Sequence, residues 1–159
     1  MTCLERQLWA FNEQVLLERE DPLTELAELA ERAAAGSGAL VFLGGEAGVG
    51  KTSLTAALVA LADGPLTVRC GGCDNVTTAA ALGPLVDAVP ELTAVIEDEA
   101  TAVDRLRLFR RLRGVLSAVP TLLVLEDVHW ADEATLEMLR FLGRRLGGLP
   151  LLVLATFRE

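Results

Sequence analysis

Apolar residues in this chain fall into two patterns, uninterrupted short blocks and stretches in which they return every third or fourth position. Leu40-Val41-Phe42-Leu43, Leu122-Leu123-Val124-Leu125 and Leu151-Leu152-Val153-Leu154-Ala155 are blocks of strand length with no polar alternation. Such blocks read as strands covered on both faces, as in a parallel sheet. Leu66-Thr67-Val68-Arg69-Cys70 reads as a further strand. Helical spacing fills the intervals. Leu23, Leu26, Leu29, Ala30 and Ala33 follow Asp21 as cap and Pro22 as opening residue, and Gly36-Ser37-Gly38 stops them. Leu54, Ala57, Leu58 and Leu61 run to Asp63-Gly64-Pro65, and Leu82 to Pro90 suits a short helix between two prolines. Val103, Leu106, Phe109, Leu112 and Leu116 predict another helix, with Glu97, Asp98 and Glu99 before it and five arginines along it, an order that suits the helix dipole. Leu136, Leu139, Leu142 and Leu146 predict the last, capped by Asp132 and stopped by Gly147-Gly148.

Strands alternating with helices predict an α/β fold, a parallel sheet sandwiched by helices, with ligands at the carboxyl ends of the strands. Residues 1–13 read as an extension, either a leader helix with Leu4, Leu8, Phe11 and Val15 on one stripe or unstructured chain, and residues 14–159 as one domain.

The chemistry begins where the first strand ends. Gly45, four free positions, Gly50, Lys51 and Thr52 form the pattern of a phosphate-binding loop, placed between a strand and a helix as that pattern requires. Across Gly45-Glu46-Ala47-Gly48-Val49-Gly50-Lys51-Thr52-Ser53, glycines let consecutive backbone N–H groups curl around a phosphate, and the helix start reinforces them. Lys51 would set a point charge on the β- and γ-phosphates. Thr52 would offer its hydroxyl to Mg²⁺, which binds through few protein oxygens plus the phosphates.

A second chemical stretch is Leu122-Leu123-Val124-Leu125-Glu126-Asp127, an apolar strand ending in two carboxylates. Buried strands have no packing reason to end in paired acids, and in a nucleotide enzyme the nearby cation is Mg²⁺. Glu126 is read as the acid on the magnesium side and Asp127 as the acid on the water side, with the two roles exchangeable. Arg158, just past the last strand, is read either as pointing at a γ-phosphate or as a surface residue. His129 either senses the bound state through a hydrogen bond or is satisfied by local backbone. Cys70-Gly71-Gly72-Cys73 has the spacing of a redox pair or half a zinc site, set against a plain strand end running into a glycine turn.

Composition narrows the partners. In 159 residues, 23 Asp and Glu against 14 Lys and Arg give a net charge of −9, which opposes direct nucleic acid contact by this segment. No apolar stretch approaches the ~18–20 residues of a membrane span, no signal-peptide core opens the chain, and the expectation is no membrane and a cytoplasmic setting.

Taken together, Leu16-Leu17-Glu18-Arg19-Glu20, Gly45-Glu46-Ala47-Gly48-Val49-Gly50-Lys51-Thr52, Leu82-Gly83-Pro84-Leu85, Leu125-Glu126-Asp127-Val128-His129-Trp130-Ala131-Asp132 and Ala155-Thr156-Phe157-Arg158 resemble, in that order, the AAA-type ATP-binding domain of signal-transduction (STAND) ATPases. The likeness is strongest to the large LuxR-type transcriptional regulators. It implies a P-loop NTPase fold of the ASCE/AAA-type division, in which an extra strand separates the phosphate loop from the acids; the second strand carries no acid of the kind small-molecule kinases place there. It implies an ATP/ADP-binding switch with Mg²⁺, with Leu16, Leu17 and Arg19 near the adenine, Gly45 to Ser53 around the phosphates, and Arg158 as first sensor. Family members continue past the first sensor into a fifth strand and a helical lid. The expectation is therefore a domain incomplete at its C-terminal end, with Leu40 to Leu43 at an open sheet edge. Its partners would be further domains of a larger regulator, or copies of itself through that edge. Alternatives are a free-standing AAA-type ATPase or a truncated, non-enzymatic interaction module.

Overall fold

A computed structural model describes residues 20–62, 64–75, 81–99 and 105–159. Helix α1 (Glu20–Ala34) leads into strand β1 (Ala39–Leu43), α2 (Lys51–Ala62), β2 (Thr67–Gly72), α3 (Gly83–Ala88), α4 (Leu92–Glu99), α5 (Arg105–Leu116), β3 (Thr121–Glu126), α6 (Glu133–Gly143) and β4 (Leu151–Thr156). Short 3₁₀ turns at Val128–Trp130 and Leu146–Gly148 flank α6.

The four strands form one parallel sheet in the order β1-β4-β3-β2. Period-two alternation then divides the core. Leu122, Val124, Leu152 and Leu154 face one side, where Leu26, Ala30 and Ala33 of α1 and Leu54 and Leu58 of α2 cover them. Leu123, Leu125, Leu151, Val153 and Ala155 face the other, under Leu85, Leu112, Met138 and Leu142 of the remaining helices. β4 is central and all six of its residues are buried, which explains a block with no polar alternation. β1 pairs with β4 on one side and forms the edge of the described sheet, with Phe42 55% exposed.

Local chemistry accounts for the helix ends. Gly36, at φ +89, lets the Ser37 N–H reach the Arg32 carbonyl at 2.8 Å and closes α1. Asp132 caps α6 as its position predicts, accepting from the Thr135 N–H at 3.0 Å and the Thr135 hydroxyl at 2.5 Å. α1 begins at Glu20, one residue before the expected cap Asp21.

The acid-to-arginine stretch departs from the expected single dipole-matched helix. Asp98 lies in the last turn of α4, a separate element, where a carboxylate opposes the dipole. It pairs instead across the helix pair with Arg111 of α5. Of the predicted apolar stripe, Phe109, Leu112 and Leu116 are buried but Leu106 is 42% exposed, and Val103 lies outside the described residues. No helix of the described residues is long and apolar enough to cross a membrane.

Candidate functional site

The loop after β1 turns on glycines: Gly48 and Gly50 hold φ +82 and +87, a region that residues with a Cβ rarely occupy. α2 starts at Lys51, and its first helical bond runs from the Leu54 N–H to the Gly50 carbonyl at 3.1 Å. The start of α2 lies next to the loop, which places the positive end of the helix dipole there. The Lys51 ammonium donates to the Gly45 carbonyl at 2.5 Å and the Glu46 carbonyl at 3.0 Å, so the charge is held at the loop mouth. Thr52 is exposed and Ser53 half-buried at the start of α2.

Strand order brings the other chemistry to the same edge. β4 lies between β1 and β3, so residues leaving β4 emerge between the loop and the acids of β3. Phe157 prolongs the pairing, its N–H donating to the Leu43 carbonyl at 3.1 Å. Its ring lies over Gly44, where a Cβ would come within 2.5 Å of the ring edge. The next residue, Arg158, places Nε 3.6 Å from Asp127 Oδ1.

Asp127 leaves β3 in a left-handed conformation, φ +55, that starts the 3₁₀ turn Val128–Trp130. Its N–H donates to the buried hydroxyl of Thr156 at 3.1 Å, which ties β3 to β4 at this point. His129 Nδ1 stands 3.8 Å from Asp127 Oδ1 and accepts the Arg158 backbone N–H at 3.4 Å. Glu126, half-buried, ends β3 itself. Lys51, Glu126, Asp127 and Arg158 thus all lie at the carboxyl ends of the strands, while Leu16, Leu17 and Arg19 lie outside the described residues. Sequence reasoning missed Thr156 and the His129–Arg158 contact. The signal for Thr156 was present, a hydroxyl closing an otherwise apolar strand.

Packing accounts for part of the cysteine motif. Gly71 is needed because α3 crosses β2 closely, and a Cβ there would stand 1.9 Å from the Pro84 carbonyl oxygen. Cys73 is buried, its N–H donating to the Glu126 carbonyl at 2.9 Å, and it is a free thiol. Burial first, then the negative charges of Asp132, Asp127 and Asp74, push the Cys73 thiol from 9.0 up to about 12. A thiol held neutral is a poor nucleophile. Cys73 is therefore expected to resist iodoacetamide at pH 8 in the folded chain and to react once urea unfolds it, followed by mass spectrometry. Because the unfolded thiol ionises first, this group's stabilising effect is intact below pH 9 and declines as pH rises toward 12.

Loop, acids and the intervening strand define a P-loop NTPase of the division in which the acid strand is not the loop strand's neighbour. A family model described as AAA ATPase domain matches residues 15–154, and the chain belongs to that family. It therefore carries an AAA-type nucleotide-binding module. Among solved structures, the Drosophila ORC bound to DNA is 21% identical with a TM-score of 0.57, covering 99% of this chain and 40% of that one. A Thermotoga maritima RuvB mutant is 11% identical with a TM-score of 0.47, covering 88% and 39%. The Drosophila likeness concerns the fold, and the chain spans about two-fifths of the length of these structures. No curated protein matches it.

Proposed function

We propose that this chain is the ATP/ADP-binding switch module of a LuxR-type transcriptional regulator of the STAND class, cytoplasmic, with hydrolysis that is slow and resets the switch. The observation that carries the reading is Arg158, which comes off β4 beside the loop with its guanidinium against Asp127. An exposed ion pair at 3.6 Å contributes about 0–1 kcal/mol and exchanges readily for a stronger anion. A γ-phosphate would be such an anion, and Arg158 would then distinguish ATP from ADP. Its movement is passed through Phe157 to Gly44 and through the His129 contact to the turn after β3.

In this reading the loop N–H groups from Gly45 to Ser53 and the Lys51 ammonium bind the phosphates, and Leu16, Leu17 and Arg19 approach the adenine. The donor set fits Mg²⁺: the Thr52 hydroxyl and the carboxylates of Glu126 and Asp127 are hard oxygens, and few of them. Among the described residues no cluster of His, Cys, Asp and Glu could hold a metal by itself, so the shell would be completed by phosphate and water. Bound there, Mg²⁺ would neutralise charge on the phosphate oxygens. Glu126 takes the magnesium side and Asp127 orients water, the two roles being exchangeable.

Steady-state hydrolysis with Mg²⁺ tests the switch. The expected rate is on the order of 10⁻² s⁻¹ or lower, falling at least about tenfold in Glu126→Gln with nucleotide binding retained. Turnover of about 1–10 s⁻¹ would contradict it and favour a free-standing AAA-type ATPase. One observation supports an interaction module instead, the edge position of β1 with Phe42 exposed, through which further domains or a second copy would pair. Association that ignores nucleotide would favour that second reading.

A further inference from the structure

Charge is distributed unevenly over this acidic chain. Eight of its 14 basic residues belong to two neighbouring helices and their ends: Arg105, Arg107, Arg110, Arg111 and Arg113 on α5, and Arg140, Arg144 and Arg145 on α6 and just past it. Between the helices lies a cleft of about 410 Å³. Its floor is apolar, formed by Leu106, Phe109 and Phe141, and Arg140, Arg144 and Arg145 stand on its wall. Phe109 and Phe141 are buried and packed together with ring centroids 5.6 Å apart, so the floor is firm. Leu106 rises from it, 42% exposed.

The arginines differ in their engagements. Arg145 is fixed in place, its guanidinium 4.2 Å above the Phe141 ring and donating to the Phe141 carbonyl at 3.2 Å. Glu137, the acid in the cleft, is paired with Arg105 and so does not neutralise the α6 arginines. Arg140 and Arg144 are exposed and make no ion pair among the described residues. Arg140 lies in the last turn of α6 and Arg144 is its C-cap residue, closing the helix through its backbone N–H to the Leu142 carbonyl rather than through its side chain. Two exposed cations and one pre-set guanidinium beside an apolar floor have the chemistry of a carboxylate-binding cleft with a hydrophobic anchor point.

We infer that this α5–α6 cleft is a docking site for an acidic peptide segment, one that sets a Leu, Phe or Trp side chain beside Leu106 and its carboxylates on Arg140, Arg144 and Arg145. Charge complementarity chooses the occupant. Nucleic acid fits less well, because the aromatic rings are buried rather than offered for stacking. A second copy offering α1 also fits less well. Its exposed Glu25, Glu28 and Glu31 supply charge, but its exposed face carries no large apolar side chain to meet the floor. The site lies on α5 and α6, independent of the nucleotide-binding reading.

The test uses the full chain against a bead-displayed peptide library of mixed sequence, with wild type and the double variant Arg140→Glu/Arg144→Glu compared. Wild type is expected to enrich peptides in which Asp or Glu flank a Leu, Phe or Trp. The best of these, resynthesised, should bind at least tenfold more weakly to the double variant and lose affinity with rising salt. Far-ultraviolet circular dichroism and the melting temperature of the variant should match wild type, since both positions are exposed; Arg145→Ala gives a second, independent loss. No enrichment, or equal binding by both proteins, overturns the proposal. Single-stranded DNA that displaces the peptide and binds more tightly would overturn it in favour of a nucleic-acid surface. Sedimentation showing head-to-tail association that the double variant abolishes would overturn it in favour of a second copy.

Discussion

Lys51→Ala is expected to weaken ATP and ADP binding about 30- to 150-fold while leaving the fold intact. A hydrogen bond to a charged group contributes about 2–3 kcal/mol where the partner would otherwise be uncompensated, and each 1.4 kcal/mol is tenfold in affinity. The ammonium lies within reach of the loop mouth in this structure, donating to the Gly45 and Glu46 carbonyls. The Gly45 contact is only partly buried and the Glu46 contact is exposed, so losing them should move the melting temperature of the nucleotide-free chain by no more than a degree or two. Fluorescence anisotropy of a labelled nucleotide, read beside a melting curve, separates the two effects. A variant that binds as wild type does would show that the loop holds phosphate without its lysine, and the assignment of Lys51 would fall.

The largest stability effect is expected at Gly71→Ala. A methyl there would stand 1.9 Å from the Pro84 carbonyl oxygen and 2.9 Å from its carbon, both backbone atoms that no rotamer change can move. α3 must therefore lift from β2, withdrawing Leu85 and Ala88 from a core in which they are 0% and 5% exposed. Overpacking against backbone costs about 3 kcal/mol, or about 6–12 °C in melting temperature for a chain of this size. Gly72→Ala is the control, since a Cβ at Gly72 meets nothing within 4 Å. Equal melting temperatures for the two variants would mean that α3 does not pack on β2 as described. The lifted helix should also expose the Cys73 thiol to alkylation.

The sheet was legible in the sequence because its strands are buried on both faces. Leu122 to Leu125 and Leu151 to Ala155 are 0% exposed, and a block that must be apolar everywhere leaves an unambiguous trace. The phosphate loop was legible for a different reason, since its glycine conformations and its cation admit few residue types. What failed was the acid-to-arginine stretch. Asp98 and Arg111 belong to two helices and pair between them, and charge order along a chain cannot tell a dipole-matched helix from a tertiary ion pair. Gly71 was open to misreading as part of a redox motif, because the demand for a missing Cβ comes from a helix that passes over it. The contacts among Asp127, His129, Thr156 and Arg158 were out of reach for a similar reason. Their two hydrogen bonds each join residues 29 positions apart, and the geometry depends on a left-handed turn at Asp127 that no residue type there announces.

The proposed switch rests on one claim, that the carboxyl edge of this sheet binds an adenine nucleotide through the loop from Gly45 to Ser53. Calorimetric titration of the wild-type chain with ADP and with ATP, each with and without Mg²⁺, tests it most directly. The expected result is one nucleotide bound per chain, more tightly with Mg²⁺ present, and a melting temperature that rises with nucleotide concentration. A folded chain that shows neither heat nor a melting shift at millimolar nucleotide would contradict it.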